Sequence, residues 1–375
     1  MKKIKILQYG ALTPTYGGIE SYIYSQWKNL DKSQIQYDFL VDKYAGEVAY
    51  EKELTQGGGI IYRNWIGRGR SIFKHYRELY KFFQTHHYDG VVCNLLELQN
   101  IDCILMACFF RIPLRVVHSH QAYYGGDHGL AFNFLEKIHR IIVGKVCTHL
   151  FACSDDAGRW MFGYNWKKNK KSFIIKNGVD VEQFVFSKNT REQLRKKFHL
   201  ENKIVFGHTG RLSPPKNQIF SIEIFHYIHE KIPNAIFFFI GEGILRSEME
   251  QKIEEYGLED AVILLGERHN ISDFLQVFDY FIFPSEWEGL GISLIEAQIS
   301  GLRCFVSDKI PSEAIVTNEV KVISLQKNAK IWSDYILANL SYNRIDQSDL
   351  IRKNGYDAKR TAKIVQDIYV KSIQR

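Results

Sequence analysis

Asp279-Tyr280-Phe281-Ile282-Phe283-Pro284-Ser285-Glu286-Trp287-Glu288-Gly289-Leu290-Gly291-Ile292-Ser293-Leu294-Ile295-Glu296-Ala297-Gln298 decides how the chain is read. Asp279 to Phe283 is a short apolar run that predicts a buried parallel strand, stopped by Pro284. A polar loop with two glycines follows, and Ile292 to Ile299 takes up helical spacing. In open α/β sheets ligands sit beyond the carboxyl ends of strands, where helix N-termini present unpaired N–H groups. Gly289 and Gly291, with Leu290 between them, let the backbone come close to a diphosphate there. Glu288 in the loop and Glu296 in the helix can accept hydrogen bonds from hydroxyls. Two carboxylates around such a turn suit a ligand with both hydroxyls and phosphate, as a nucleotide-sugar has. A pair of solvated helix-end carboxylates would show the same spacing.

Glu288 and Glu296, with seven residues between them inside P-S-x-x-E-G-x-G-x-x-x-x-E-A, resemble the EX7E motif of the retaining GT-B glycosyltransferases of family 4. The resemblance implies Glu288 beside the donor sugar and Glu296 on the ribose hydroxyls. Upstream, Arg211 and Lys216 flank a diproline turn in Gly210-Arg211-Leu212-Ser213-Pro214-Pro215-Lys216. Two cations on a post-strand loop are what a departing nucleoside diphosphate needs as its charge develops. The segment is similar to the family's G-R-L-x-x-x-K, whose Arg and Lys have that role. Gly241, in Gly241-Glu242-Gly243, and Arg268 join the donor set by position, Arg268 toward the nucleobase.

The first half resembles the family more loosely. Tyr16-Gly17-Gly18-Ile19-Glu20 sets two glycines at a helix N-terminus, where a phosphate could meet bare amides. It is similar to the family's G-G-x-E loop, which lies over the donor diphosphate and the acceptor cleft. It is not GxGxxG, so a dinucleotide reading gains nothing. A strand over Pro113 to His118 ends in His118-Ser119-His120-Gln121, and alternation puts both histidines on one side. The family places a histidine here against the donor sugar. His120 is the first choice and His118 the alternative, because strand length leaves the register open. Zinc is set aside, since no nearby acid or cysteine completes a site. Tyr123 and Tyr124, ahead of the Gly125–Gly129 loop, are acceptor-side candidates.

At 375 residues two domains are expected. Strand alternates with helix, so the fold class is α/β, and the resemblance implies GT-B: two doubly wound Rossmann-like domains facing across a cleft. The first, acceptor-side domain is expected over 1–182 and the nucleotide-sugar domain over 183–355. A last helix, 356–375, would cross back to the first. The hinge falls in Phe173 to Phe184, which resembles the family's I-x-N-G-V-D-x-x-x-F segment. Arg303 departs from pattern, standing where related chains usually carry proline.

Lys5 and Gln8 break any signal-peptide core, and the longest apolar run, Cys103 to Phe110, is too short to span a bilayer. Six cysteines without CxxC spacing read as reduced thiols. A cytoplasmic protein is therefore expected. Residues 1–182 carry 24 Lys and Arg against 17 Asp and Glu, and the remainder 25 against 25, so the whole excess lies in the first half. Arg63, Arg68, Arg70, Lys74, Arg77 and Lys81 interleave with Trp65, Ile66 and aromatics. Phe73, Tyr76, Tyr80 and Phe83 fall at helical spacing and predict an amphipathic basic helix over 72–85. It would meet an anionic membrane surface on the inner face of the cell membrane, or be an ordinary solvated helix with its apolar face in the core. No nucleic-acid-binding motif accompanies the charge, and no nucleic acid partner is expected.

The resemblance implies a metal-independent hexosyltransferase with no cofactor. It would take a nucleotide-sugar donor, UDP rather than GDP, and retain the anomeric configuration. The acceptor would be a hydroxyl of a glycan or polyprenyl-diphosphate-linked oligosaccharide in capsule or exopolysaccharide synthesis. A nucleotide-sugar epimerase shares the architecture, and a non-catalytic module would bind a UDP-sugar without turnover.

Overall fold

A computed structural model describes residues 3–14, 17–65, 71–121, 129–268 and 270–374. The chain divides into two units, Met1–Gly178 with Gly355–Arg375, and Val179–Asn354. Each is built on one parallel sheet.

The first unit holds β1 (Ile4–Tyr9), β2 (Ile35–Asp42), β3 (Ile60–Trp65), β4 (Gly90–Leu95), β5 (Leu114–Ser119), β6 (His149–Ala152) and β7 (Ser172–Ile174). They lie in the order β3-β2-β1-β4-β5-β6-β7. The second holds β8 (Ile204–Thr209), β9 (Ala235–Ile240), β10 (Val262–Leu264), β11 (Tyr280–Phe283), β12 (Arg303–Ser307) and β13 (Val320–Ile323), ordered β10-β9-β8-β11-β12-β13. In both sheets the order reverses beside the first strand, at β1/β4 and at β8/β11. Loops leaving those neighbours part to opposite faces and open a crevice at the strands' carboxyl ends.

Both faces of each sheet are covered, so the central strands carry apolar residues at successive positions rather than alternate ones. β9, Ala-Ile-Phe-Phe-Phe-Ile, is buried throughout, as is β11. β11 starts one residue later than expected because Asp279 is occupied otherwise. Its carboxylate accepts from the Val205 N–H at 2.7 Å and from Arg195 at 3.1 Å. The last helix, Ala358–Ile373, belongs to the first unit and buries Ala362, Val365 and Tyr369 in a core with Ile6, Phe39 and Phe151.

The basic helix forms at Ile72–Thr85, but its inward face is not the expected stripe. His75, Leu79, Phe82 and Phe83 are buried, while Phe73 is 87% and Tyr80 41% exposed. A polar contact sets this rotation. The His75 ring lies 2.9 Å from the Asp102 carboxylate, both fully buried, and the Tyr76 hydroxyl donates to the same carboxylate at 2.9 Å. A paired histidine in the core displaces Phe73 and Tyr80 outward. Ile66, Arg68 and Arg70 lie outside the described residues.

Gly207, inside β8, lets the Phe278 ring cross the strand, since a Cβ there would stand 2.0 Å from a ring carbon. Gly207→Ala is expected to cost roughly 1–3 kcal/mol, as overpacked cores do. The urea midpoint reads this, and an unchanged midpoint would contradict the packing described.

Candidate active site

At the β8/β11 reversal two loops meet. After β8, Gly210 takes φ 146° and donates its N–H to Ile240 at 2.9 Å. Gly241, leaving β9 at φ 141°, packs so closely that a Cβ would stand 2.1 Å from the Gly210 carbonyl oxygen. This contact by itself requires glycine at 241. Pro214–Lys216 forms a tight turn, and Asn217, left-handed at φ 55°, starts helix Gln218–Lys231. Two bonds fasten this turn to the loop after β11. The Glu286 N–H donates to Pro215 at 2.8 Å, and the Asn217 amide to Pro284 at 3.2 Å.

Lys216 is thereby brought onto Glu288. Its Nζ lies 2.6 Å and 2.7 Å from the two carboxylate oxygens. Glu288 is 7% exposed and accepts a third bond from Ser285 Oγ at 2.8 Å. The Ser285 carbonyl in turn accepts from Ser307 Oγ of β12 at 2.5 Å. A buried carboxylate so held keeps one orientation. Lys216 has three donors, and the third has no partner among the described residues. The Phe283 ring lies 5.2 Å from its Nζ.

Beyond Glu288, Gly289 leads to Leu290, whose side chain is buried, so that its backbone is what can face a ligand. Gly291 is left-handed at φ 82° and heads helix Ile292–Ile299, which has no side-chain cap. Its first amides are thus available to an anion. The carboxyl of Glu296, one helical turn in, makes no hydrogen bond or ion pair among the described residues, and burial pushes it up to about 8. Arg211 and Arg268 are exposed.

Sequence reasoning missed three supports. Ser285 was legible as the serine of P-S-x-x-E, three residues ahead of the carboxylate it holds. Ser307 gave no signal. His208, fully buried in β8, bonds to the Ile282 carbonyl at 3.0 Å, and burial and Lys216 push its pKa down to about 3. It is a neutral post behind the lysine.

In the first unit the β1/β4 reversal has its own polar group. Gly10, at φ 67°, leaves β1 where a Cβ would stand 2.4 Å from the Asn94 carbonyl oxygen. Helix Gly18–Asn29 begins at Gly17 without a side-chain cap, and buried Glu20 accepts from Thr13 Oγ1 at 2.6 Å. His118 lies in β5 and His120 just past its end, their ring centroids 4.0 Å apart. Both pack on Tyr22, with centroids at 5.1 Å and 5.2 Å. His120 Nε2 lies 3.0 Å from Asn94 Oδ1, and Asn94 Nδ2 donates to Gln8 Oε1 at 3.0 Å. That chain makes Nε2 the donor and leaves His120 Nδ1 an acceptor with no partner among the described residues. Burial pushes His120 down to about 3 and holds His118 well below the usual range, so both rings are neutral. Asn94 and Gln8 were not foreseen. Among the described residues no group of three His, Cys, Asp or Glu could hold a metal ion. Tyr16, Tyr123 and Tyr124 lie outside the described residues.

Residues 16–183 match the family profile Glycosyltransferase Family 4, and residues 189–357 match Glycosyl transferases group 1. The UDP-Gal:alpha-D-GlcNAc-diphosphoundecaprenol alpha-1,3-galactosyltransferase of Escherichia coli is 25% identical, over 98% of this chain and 97% of its own. The capsular polysaccharide biosynthesis glycosyltransferase CapH of Staphylococcus aureus is 28% identical, over 62% of this chain and 63% of its own. The crystal structure of Anabaena Alr3699/HepE in complex with UDP and glucose superposes with a TM-score of 0.70 at 19% identity, covering 99% of this chain and 97% of that one. The chain belongs to the glycosyltransferases of GT-B fold, with a group 1 domain following an N-terminal domain of family 4 type.

Proposed function

We propose that the protein is a retaining, metal-independent hexosyltransferase that moves a sugar from a UDP-sugar to a hydroxyl of a glycan or a polyprenyl-diphosphate-linked oligosaccharide. The observation that carries this is the Lys216–Glu288 pair braced by Ser285 at the β8/β11 reversal. It offers a fixed carboxylate for sugar hydroxyls and, a few ångströms off, an ammonium with one donor to spare. Names support the finer points: a UDP-sugar donor and a lipid-diphosphate acceptor for the Escherichia coli relative, capsule synthesis for CapH, and UDP in the Anabaena complex. Assembly of a bacterial capsule or exopolysaccharide from the cytoplasmic side is the setting that fits these.

In this reading the bond from sugar C1 to phosphate oxygen breaks and its electron pair goes to the diphosphate. Lys216, Arg211 and the amides around Gly289, Leu290 and Gly291 take up the charge. The acceptor oxygen bonds to the same face of C1, and its proton passes to the departing diphosphate oxygen. Glu296 takes the ribose hydroxyls and Arg268 the nucleobase. In the first unit, the Gly17 and Gly18 amides offer donors and the neutral His120, with Nδ1 free to accept, suits a hydroxyl rather than an anion. Tyr123 and Tyr124 are kept as acceptor-side candidates on the sequence alone.

Nucleotide release screened across UDP- and GDP-sugars in EDTA tests this. One UDP-sugar is expected to turn over slowly without acceptor, and Glu288→Gln to lower the rate roughly 100- to 1,000-fold. Sugar interconversion without nucleotide release would point to an epimerase, and binding without turnover to a non-catalytic module.

Glu296 gives a pH signature. Below about 8 it keeps its proton, so binding through the ionised carboxylate must expel that proton. UDP affinity is expected to rise with pH, at most about tenfold per unit, and to level off above about 8. Calorimetric titration of Glu296→Gln should give weaker binding whose remaining pH dependence is that of the UDP terminal phosphate alone. A wild-type affinity flat from pH 6 to 8.5 would remove Glu296 from the ribose site.

A further inference from the structure

Helices Gly129–Val146 and Asp155–Phe162 of the first unit end beside the amino ends of β6 and β7. That edge of the sheet is opposite to the one that carries His120 and Gly18. Cations satisfy the last carbonyls of both helices. Arg140 Nε and Nη2 donate to the Met161 and Trp160 carbonyls at 3.0 Å and 2.9 Å. Lys171 Nζ donates to the Gly144 and Cys147 carbonyls at 3.3 Å and 2.9 Å. The negative pole that two helix ends would present is thereby offset.

A cavity of about 370 Å³ lies here, with Arg140, Phe162, Tyr164, Asn165, Trp166 and Asn169 in its lining. Small-molecule sites occupy roughly 300–1,000 Å³, so one or two compact rings would fill it. Tyr164 is 78% exposed, yet its ring is held. The Arg159 guanidinium stands 5.0 Å from the ring centroid, and Asp155 accepts from Arg159 Nε at 3.0 Å. A cation braces one side of the ring, and the ring is left as a platform. Asn169 Oδ1 accepts from the Lys171 N–H at 3.0 Å, which leaves its Nδ2 to donate. The Asn165 side chain and Arg140 Nη1 have no partner among the described residues. No Asp or Glu is in the lining.

The surrounding charge is of one sign. Residues 129–171 carry eight Lys and Arg against three Asp and Glu, so five of the chain's net +7 is concentrated there. Of the three acids, Asp155 already holds Arg159 and Lys167. Lys145, Lys168 and Lys170 each adjoin a lining residue in the chain, and all are exposed without an ion pair among the described residues. An aromatic face takes the C–H side of a sugar ring, whose hydrogens are positive against the π-cloud. Amide and guanidinium donors take hydroxyl and carboxylate oxygens. The lysines favour a ligand with repeated negative charge. A nucleic acid strand also stacks and carries charge, but its grooves present successive aromatic platforms, and here one ring is exposed.

We propose that this cavity binds an anionic oligosaccharide, with a sugar ring on Tyr164, oxygens on Arg140, Asn165 and Asn169, and acid groups toward Lys145, Lys168 and Lys170. The site goes beyond the proposed function, and it rests on residues of the first unit alone.

Calorimetric titration of the full chain with trigalacturonate, in excess UDP, tests it. Trigalacturonate is expected to bind on the order of tenfold tighter than uncharged maltotriose and to weaken as salt screens the lysines. Tyr164→Ala should lose on the order of tenfold in affinity. Lys168→Glu/Lys170→Glu should lose affinity and salt sensitivity together. All three side chains are exposed, so the urea midpoint should hold in both variants. Donor hydrolysis should also hold, since none of the three belongs to the nucleotide site. No binding of trigalacturonate, equal binding of maltotriose, or equal affinity in wild type and both variants would overturn the proposal. So would tighter binding of a thymidylate hexamer. Trigalacturonate binding with no turnover of any donor would uphold the site and count against the transferase reading.

Discussion

The loops at the second unit's strand reversal are organised around a charge pair whose carboxylate water scarcely reaches. Lys216 and Glu288 sit at 22% and 6% side-chain exposure, where each ion alone would carry a large desolvation cost. Removing one partner of such a pair typically costs about 3–5 kcal/mol, because the other is left buried and uncompensated. The pair therefore demands its surroundings: Ser285 on the carboxylate, Ser307 behind Ser285, neutral His208 beneath the lysine, and the Pro215–Glu286 bond that holds the two loops together. Replacing both ions with apolar residues could be as stable. Retaining them makes sense where the carboxylate and ammonium have work to do on a ligand.

The first unit solves a related problem with neutral groups. His118, His120, Asn94 and Gln8 are all buried at the carboxyl edge of its sheet. Burial keeps both imidazoles uncharged, so no counter-ion is needed. A chain of hydrogen bonds through the Asn94 and Gln8 side-chain amides fixes which ring nitrogen of His120 carries the proton. The two units thus present different chemistry at equivalent reversals of strand order, a paired ion in one and a neutral acceptor in the other.

The alternation of buried strand and helix was legible because parallel strands covered on both faces read as continuous apolar runs, as in Ala235–Ile240. Arg211, Lys216, Glu288 and Glu296 could be picked out because their order and spacing resemble the G-R-L-x-x-x-K and EX7E segments of family 4, on loops and a helix that follow strands. Their mutual arrangement was not legible. Nothing local says that Lys216 pairs with Glu288, 72 residues on, since sheet order brings β8 and β11 together. The rotation of helix Ile72–Thr85 misled for a similar reason. Periodicity assumes that polar residues face water, and the buried His75–Asp102 contact reverses that for one turn. Gly241 was placed in the donor set by position, and nothing local shows that its backbone lies against the Gly210 carbonyl.

The central claim, that the Lys216–Glu288 pair and the amides ahead of helix Ile292–Ile299 form the nucleotide-sugar diphosphate site, is tested most directly by a crystal structure of the protein soaked with UDP. A phosphate oxygen is expected within hydrogen-bonding distance of Lys216 Nζ, with ribose hydroxyls on the Glu296 carboxylate. UDP bound elsewhere, with the Lys216–Glu288 pair untouched, would contradict it.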